Sequence, residues 1–247
     1  MVSLEVCANS AISAIAAQDG GAIRVELCNN LQQGGTTPSH GHITVARKAL
    51  HIKLFVLIRP RSGDFLYTKT EFEIMLSDVR HAIESGCDGI VTGILNKDGT
   101  VDVERNSQLI NMARQHGLAA TFHRAFDFCV SQEDALEEII EMGFERILTS
   151  GGKSTAMEGA SVIRSLIRQA KGRICIVPGG GINEHNVADL VRFTGANEIH
   201  SSVRSIVHSS MLYKNDHIIM SGNYFDEYAI DITDTESVKN LLLKANS

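Results

Sequence analysis

Charged and hydroxylated side chains recur where short apolar stretches of this chain end. Glu5 stands two residues before Cys7, and Arg24 and Glu26 lead at the same two-residue step to Cys28. Next come Ile58-Arg59-Pro60-Arg61 with Asp64 close behind, then Thr92, then Thr121-Phe122-His123-Arg124-Ala125-Phe126-Asp127. Thr149-Ser150-Gly151-Gly152, Pro178-Gly179-Gly180-Gly181 and Glu198-Ile199-His200-Ser201-Ser202 follow. Such a set suits anion handling. Arg59 and Arg61 can clamp a carboxylate or phosphate by forked hydrogen bonds, and the N–H groups of Gly179, Gly180 and Gly181, just before a helix, can hold a phosphate. Thr92 adds a hydroxyl. His123 is a candidate general acid or base near neutral pH, with Glu26 as its partner or as an independent base. His200 is either a second such group or a histidine satisfied by its strand neighbours. The glycines also suit tight turns, Asp127 can simply hold Arg124, and ion pairs such as Glu5–Arg24 or Glu26–Arg59 would satisfy the charges among themselves.

The elements that position these residues alternate strictly. Strand-like runs are Leu4–Cys7, Ile23–Cys28, Leu54–Ile58, Gly89–Thr92, Ala119–His123, Arg146–Thr149, Ile174–Val177 and Glu198–Ser201. Amphipathic stretches at helical spacing separate them: Ser10–Gln18, Pro38–Ala49, Phe72–Glu84, Val103–His116, Ala135–Met142, Met157–Ala170 and Asn186–Phe193, with Ser237–Lys244 last. Ser39 or Thr37 can cap a helix whose first turn holds Pro38, and Ser131 with Asp134 resembles a capping box. Gly20, Gly86, Gly117, Gly143, Gly172 and Gly195 stand where helices should end. Eight such units predict a single-domain (β/α)8 TIM-type barrel of parallel strands, with a doubly wound open sheet as the runner-up. Helices cover the outer face of a barrel, so charged strand residues must point inward, and alternation then turns Cys7 and Cys28 inward with them. A ring this polar, where Val, Ile and Leu would fill a purely structural core, predicts a ligand site at the C-terminal ends of the strands.

Composition narrows the class. Apolar residues make up 43% of 247, enough for a sizeable core. A net charge of −6 and the absence of a basic face argue against nucleic acid as a partner. No apolar run approaches the roughly 18 residues that span a bilayer, and MVSLEVCANS does not read as a signal peptide. Five cysteines, an odd number scattered over a long, intracellular-looking chain, predict reduced thiols in place of a disulfide framework. The stretch 203–235, roughly 30 residues long and holding Met211, Tyr213, Tyr224, Phe225 and Tyr228, exceeds an ordinary connection and reads as a lid, an oligomer contact or a surface excursion.

GGAIRVELC, GGTTPS, IRPRSGDFLY, VTG, TFHRAFD, RILTSGG and VPGGGI, in this order from about Leu4 to Tyr228, resemble the CutC copper-homeostasis family. The resemblance implies a TIM-type barrel, a cytoplasmic homo-oligomer (dimer or tetramer) and a link to copper; no established reaction comes with it. Intracellular copper is mainly Cu(I), which prefers thiolate and thioether ligands. Cys7 in EVC and Cys28 in ELC match the positions suggested as the family's Cu(I) ligands. They end neighbouring strands about 4.8 Å apart, so both thiols could meet in the lumen. Their alternative is packing as small hydrophobes, which is the reading for Cys87, Cys129 and Cys175. His40-Gly41-His42 reads as surface, because i and i+2 do not share a helix face. Two functions therefore stand open: Cu(I) binding by Cys7 and Cys28, and an enzyme acting on a small phosphate- or carboxylate-bearing molecule through His123, Glu26 and Arg59.

Overall fold

The computed structural model describes residues 1–215, 217–218 and 226–247. Eight strands carry the fold: β1 (Ser3–Ala8), β2 (Arg24–Leu27), β3 (Lys53–Leu57), β4 (Gly89–Thr92), β5 (Ala119–Phe122), β6 (Arg146–Thr149), β7 (Cys175–Pro178) and β8 (Glu198–Ser201). Helices α1 (Ala11–Asp19), α2 (His40–Ala49), α3 (Lys69–Glu84), α4 (Val103–Gln115), α5 (Gln132–Met142), α6 (Ala160–Ala170) and α7 (Val187–Thr194) alternate with them, and α8 (Thr235–Ala245) ends the chain. The strands pair in parallel in the order β7-β6-β5-β4-β3-β2-β1-β8. A parallel bridge between Gly179 and His200 joins β7 to β8 and closes the barrel.

Alternation sorts the core into two layers. Leu4, Val6, Val25, Leu27, Leu54 and Val56 join the large cluster under the helices, whereas Cys7, Cys28, Phe55, Leu57 and Val91 form a separate small one. The second set belongs to the lumen, with Glu5, Arg24 and Glu26 interleaved at the same step. Arg24 and Arg146 stack on the Phe55 ring at 5.1 and 5.5 Å from its centroid. A side chain at Gly89 would collide with that ring, its Cβ lying 2.5 Å from Phe55 Cζ.

Caps set the helix starts. Thr68 and Glu71 form a reciprocal capping box, so α3 begins three residues before Phe72. Ser131 accepts from Asp134 N, and α5 begins at Gln132. Ser39, not Thr37, caps α2, and Pro38 precedes the cap instead of occupying the first turn. The expected helix from Met157 starts only at Ala160; Thr155 and Glu158 instead close a turn on each other at 3.0 and 3.3 Å.

Within the long stretch after β8, β9 (Arg204–His208) and β10 (Ala229–Thr233) pair antiparallel. Thr233 N donates to Ser13 Oγ at 3.1 Å and Asn9 Nδ2 to Asp231 O at 2.8 Å, tying the hairpin base to the barrel. Tyr224 and Phe225 lie outside the described residues.

Candidate metal and anion site in the barrel mouth

The C-terminal ends of the strands enclose a cavity of about 670 Å³ lined by Cys7, Glu26, Arg59, His123, Arg124 and His200, among others. Its two sides differ in chemistry.

On one side, the β1–β2 pairing brings the two thiols together. Cys7 Sγ lies 3.2 Å from Cys28 Sγ, and neither is in a disulfide. Cys7 lines the cavity, while Cys28 has no exposed surface and sits beneath it. The Cys28 thiol, then burial, push the Cys7 thiol well above its usual range. His200 comes from the far end of the sequence because β8 pairs with β1, in a register that sets His200 opposite Glu5. Its Nδ1 lies 2.7 Å from Glu5 Oε1, and its Nε2 lies 3.5 Å from Glu26 Oε2. Cys7 Sγ, a Glu26 oxygen and a His200 nitrogen all fall within 4.8 Å of one another.

Below them, Arg24 Nε donates to Glu5, and Arg24 Nη2 reaches Glu198 Oε2 at 2.6 Å. Burial opposes ionisation of Glu5, but the Arg24 charge and the His200 hydrogen bond outweigh it and hold the carboxyl down at about 2. Burial likewise opposes protonation of His200, yet its bonds to Cys7 and Glu5 and the charge of Glu26 lift the imidazole well above its usual value. Burial raises the Glu26 carboxyl, and the charge of His200 beside it offsets that only in part. The Glu5–Arg24 pair expected from the sequence therefore forms. The Glu26–Arg59 pair does not, because Glu26 turns to His200 while Arg59 is taken up by the loops.

On the other side, Arg59 Nη1 donates to Gln33 O at 3.0 Å and Gly35 O at 2.5 Å, and Nη2 to Gly63 O at 2.7 Å. Its Nε is buried without a partner, as is His123 Nε2. His123 Nδ1 accepts from Ala125 N at 3.2 Å, which places the ring proton on Nε2. Burial, then the Arg59 charge, push His123 down to about 3. It is thus a neutral hydrogen-bond donor at pH 7, in place of the acid–base group that the sequence suggested, since a base this weak takes up no proton there.

The remaining candidates divide. Gly180 and Gly181 line the cavity with φ of +105° and +70°, and Gly179 closes the barrel. A Cβ at Gly179 would meet Leu148 at 2.5 Å and His200 at 3.3 Å, so glycine there keeps His200 in place. Arg61 is turned away from the cavity, bonded to Glu71 at 2.5 Å and Asp64 at 2.9 Å. Thr92 is wholly buried and donates to Ile58 O at 3.4 Å. Asp127 does hold Arg124, at 2.7 Å, and also accepts from Thr149 Oγ1 and the N–H groups of Ser150 and Gly152, fixing the loop after β6. Burial pushes the Cys87, Cys129 and Cys175 thiols up to about 12, 12 and 11, which makes poor nucleophiles of them.

The model of the CutC family matches residues 2–205. A CutC family protein of Bacteroides thetaiotaomicron is 47% identical over 240 residues, 96% of each chain. The human protein named copper homeostasis protein cutC homolog is 45% identical over 239 residues, 96% of this chain and 87% of that one. The crystal structure of CutC from Streptococcus agalactiae, described as a copper homeostasis protein, superposes with a TM-score of 0.77 at 35% identity, covering 82% of this chain and 99% of that one. Phosphoribosyl anthranilate isomerase of Thermotoga maritima, at 15% identity and a TM-score of 0.60, covers 100% of this chain and 99% of that one and shares the fold alone.

Proposed function

The chain belongs to the CutC family, and from that premise we propose that it serves copper homeostasis by holding Cu(I) as cargo between Cys7 and Cys28. The observation that carries this reading is the 3.2 Å approach of two unoxidised sulfurs from adjacent strands, one of them facing the cavity. A soft ion of low coordination number matches a pair of thiolates that harder cations would leave under-coordinated. Copper would enter through Cys7, the member of the pair that lines the cavity. Binding requires loss of thiol protons, so affinity should rise with pH. Free thiols of this kind fit a reducing cytoplasm. In an anaerobic competition titration against a chromophoric Cu(I) chelator, the wild type should take copper from the chelator. Cys7→Ser/Cys28→Ser should not, while retaining the far-ultraviolet spectrum of the fold; equal affinity would overturn the assignment.

The opposite wall supports a second reading, the binding of a small anion. Arg59 carries its charge among carbonyls, and both its Nε and His123 Nε2 lack acceptors. A carboxylate or phosphate entering the cavity would supply them. Phosphate- or carboxylate-bearing metabolites should then raise the thermal unfolding temperature of the wild type. The rise should vanish in Arg59→Ala; a broad set of anions without effect on the wild type would exclude this reading.

A further inference from the structure

Two thiolates suffice for Cu(I), so the copper reading makes no use of Glu26 and His200, both buried beside Cys7. Buried ionisable groups are costly unless paired or used. Their arrangement is that of a ligand set with its supporting shell. His200 is held through Nδ1 by Glu5, Glu5 by Arg24, and Arg24 by Glu198. This chain of carboxylate and histidine is how proteins orient a metal-binding imidazole so that its other nitrogen faces the ion. The other nitrogen here, Nε2, faces Glu26 and Cys7. The three candidate ligand atoms lie within 4.8 Å of one another. Ligand atoms of a tetrahedral zinc site stand roughly 3.5 Å apart, so the triangle contracts when the cation binds. One thiolate, one imidazole and one carboxylate are a borderline donor set, suited to Zn²⁺ and poorly suited to Cu(I).

We propose that Cys7, Glu26 and His200 form a site for a borderline divalent cation of the zinc class. It shares only Cys7 with the thiol pair and keeps one coordination position open to the cavity. Cys28, wholly buried beneath Cys7, stays outside it. Bonds form from the cation to sulfur, nitrogen and oxygen, and the protons of the Cys7 thiol and His200 Nε2 leave to solvent. The open position faces the cavity that Arg59 and His123 also line, where a bound water or an anionic ligand would complete the coordination. This site stands independently of the copper reading, because a different partner of Cys7 defines each.

The test uses Zn²⁺ competition against a chromophoric chelator together with Co²⁺ absorption, on wild type, Glu26→Gln, His200→Gln and Cys28→Ser. The wild type should bind one equivalent of Co²⁺ with a thiolate-to-cobalt charge-transfer band. Glu26→Gln and His200→Gln should weaken Zn²⁺ binding by about 100-fold or more and leave Cu(I) binding intact. Cys28→Ser should do the reverse. Wild-type Zn²⁺ affinity in Glu26→Gln would overturn the proposal, as would loss of Zn²⁺ binding in Cys28→Ser, which would mean that the thiol pair is the only metal site. Should His200→Gln fail to fold, the isosteric Glu26→Gln decides. Failure of the wild type to bind Cu(I), with the Zn²⁺ pattern intact, would sink the copper reading alone.

Discussion

Protonation of buried histidines separates the two walls of the cavity. His123 is held down to about 3 against an ordinary 6.5. Its contribution to stability is therefore complete above about 6.5 and is lost as pH falls towards 3, where the unfolded chain takes up a proton that the native state refuses. His123→Phe keeps a ring against Phe65 and removes the titration. The urea midpoint of the variant should fall less between pH 7 and pH 4 than that of the wild type; equal falls would show that His123 is not held neutral by the fold. At this scale the sequence revealed the inward residues of single strands. Glu5 with Cys7, and Arg24 with Glu26 and Cys28, follow from alternation once the charged members must avoid the helix layer. It could not reveal that His200 joins them: Glu5 and His200 are 195 positions apart, and only closure of β8 on β1 brings them into register. Nor could it show that Arg61 pairs with Glu71, because that depends on the path of the loop before α3.

Strand ends were legible to within a residue or two, because the change from period two to helical spacing marks them. Helix starts were less so. The residues before Phe72 are polar and carry no amphipathic signal, and the cap at Thr68 extends α3 upstream; before Ala135 the amphipathic signal is equally absent, but the Ser131 cap read from the sequence marks where α5 begins. The opposite error, at Met157, arises where Gly159 packs against the loop after β6; a Cβ there would stand 1.9 Å from Ser150 O. The hairpin after β8 had no expected strands; its two runs, RSIVH and AIDIT, are only five residues each and lie in a stretch read as one long excursion. In it Val207 and Ile230 are paired and share a face, exposed at 40% and 62%. These paired apolar residues are where the oligomer contact expected of this stretch is tested. Sedimentation at tens of micromolar should give a dimer or tetramer for the wild type and a monomer for Val207→Ser/Ile230→Ser; an unchanged distribution would remove the hairpin from the interface.

The whole barrel turns local pattern into a site. Strands from both ends of the chain, β1, β2 and β8, deliver a soft, acidic wall, and the segments just after β3 and β5 a donor wall, with the cavity between them. Repetition of eight βα units made the closed barrel readable, and closure rests on the glycine at 179 that lets β7 meet His200. What the fold adds to the sequence is depth: it puts Cys7 at the cavity surface and Cys28 beneath it, so that the pair is reached from one side only. The central claim, Cu(I) held by these two thiols, is tested most directly by copper-edge X-ray absorption on anaerobically loaded protein. The account predicts two sulfur neighbours around copper in the wild type and one in Cys28→Ser. A shell of nitrogen and oxygen alone, or a wild-type spectrum unchanged by Cys28→Ser, would contradict it.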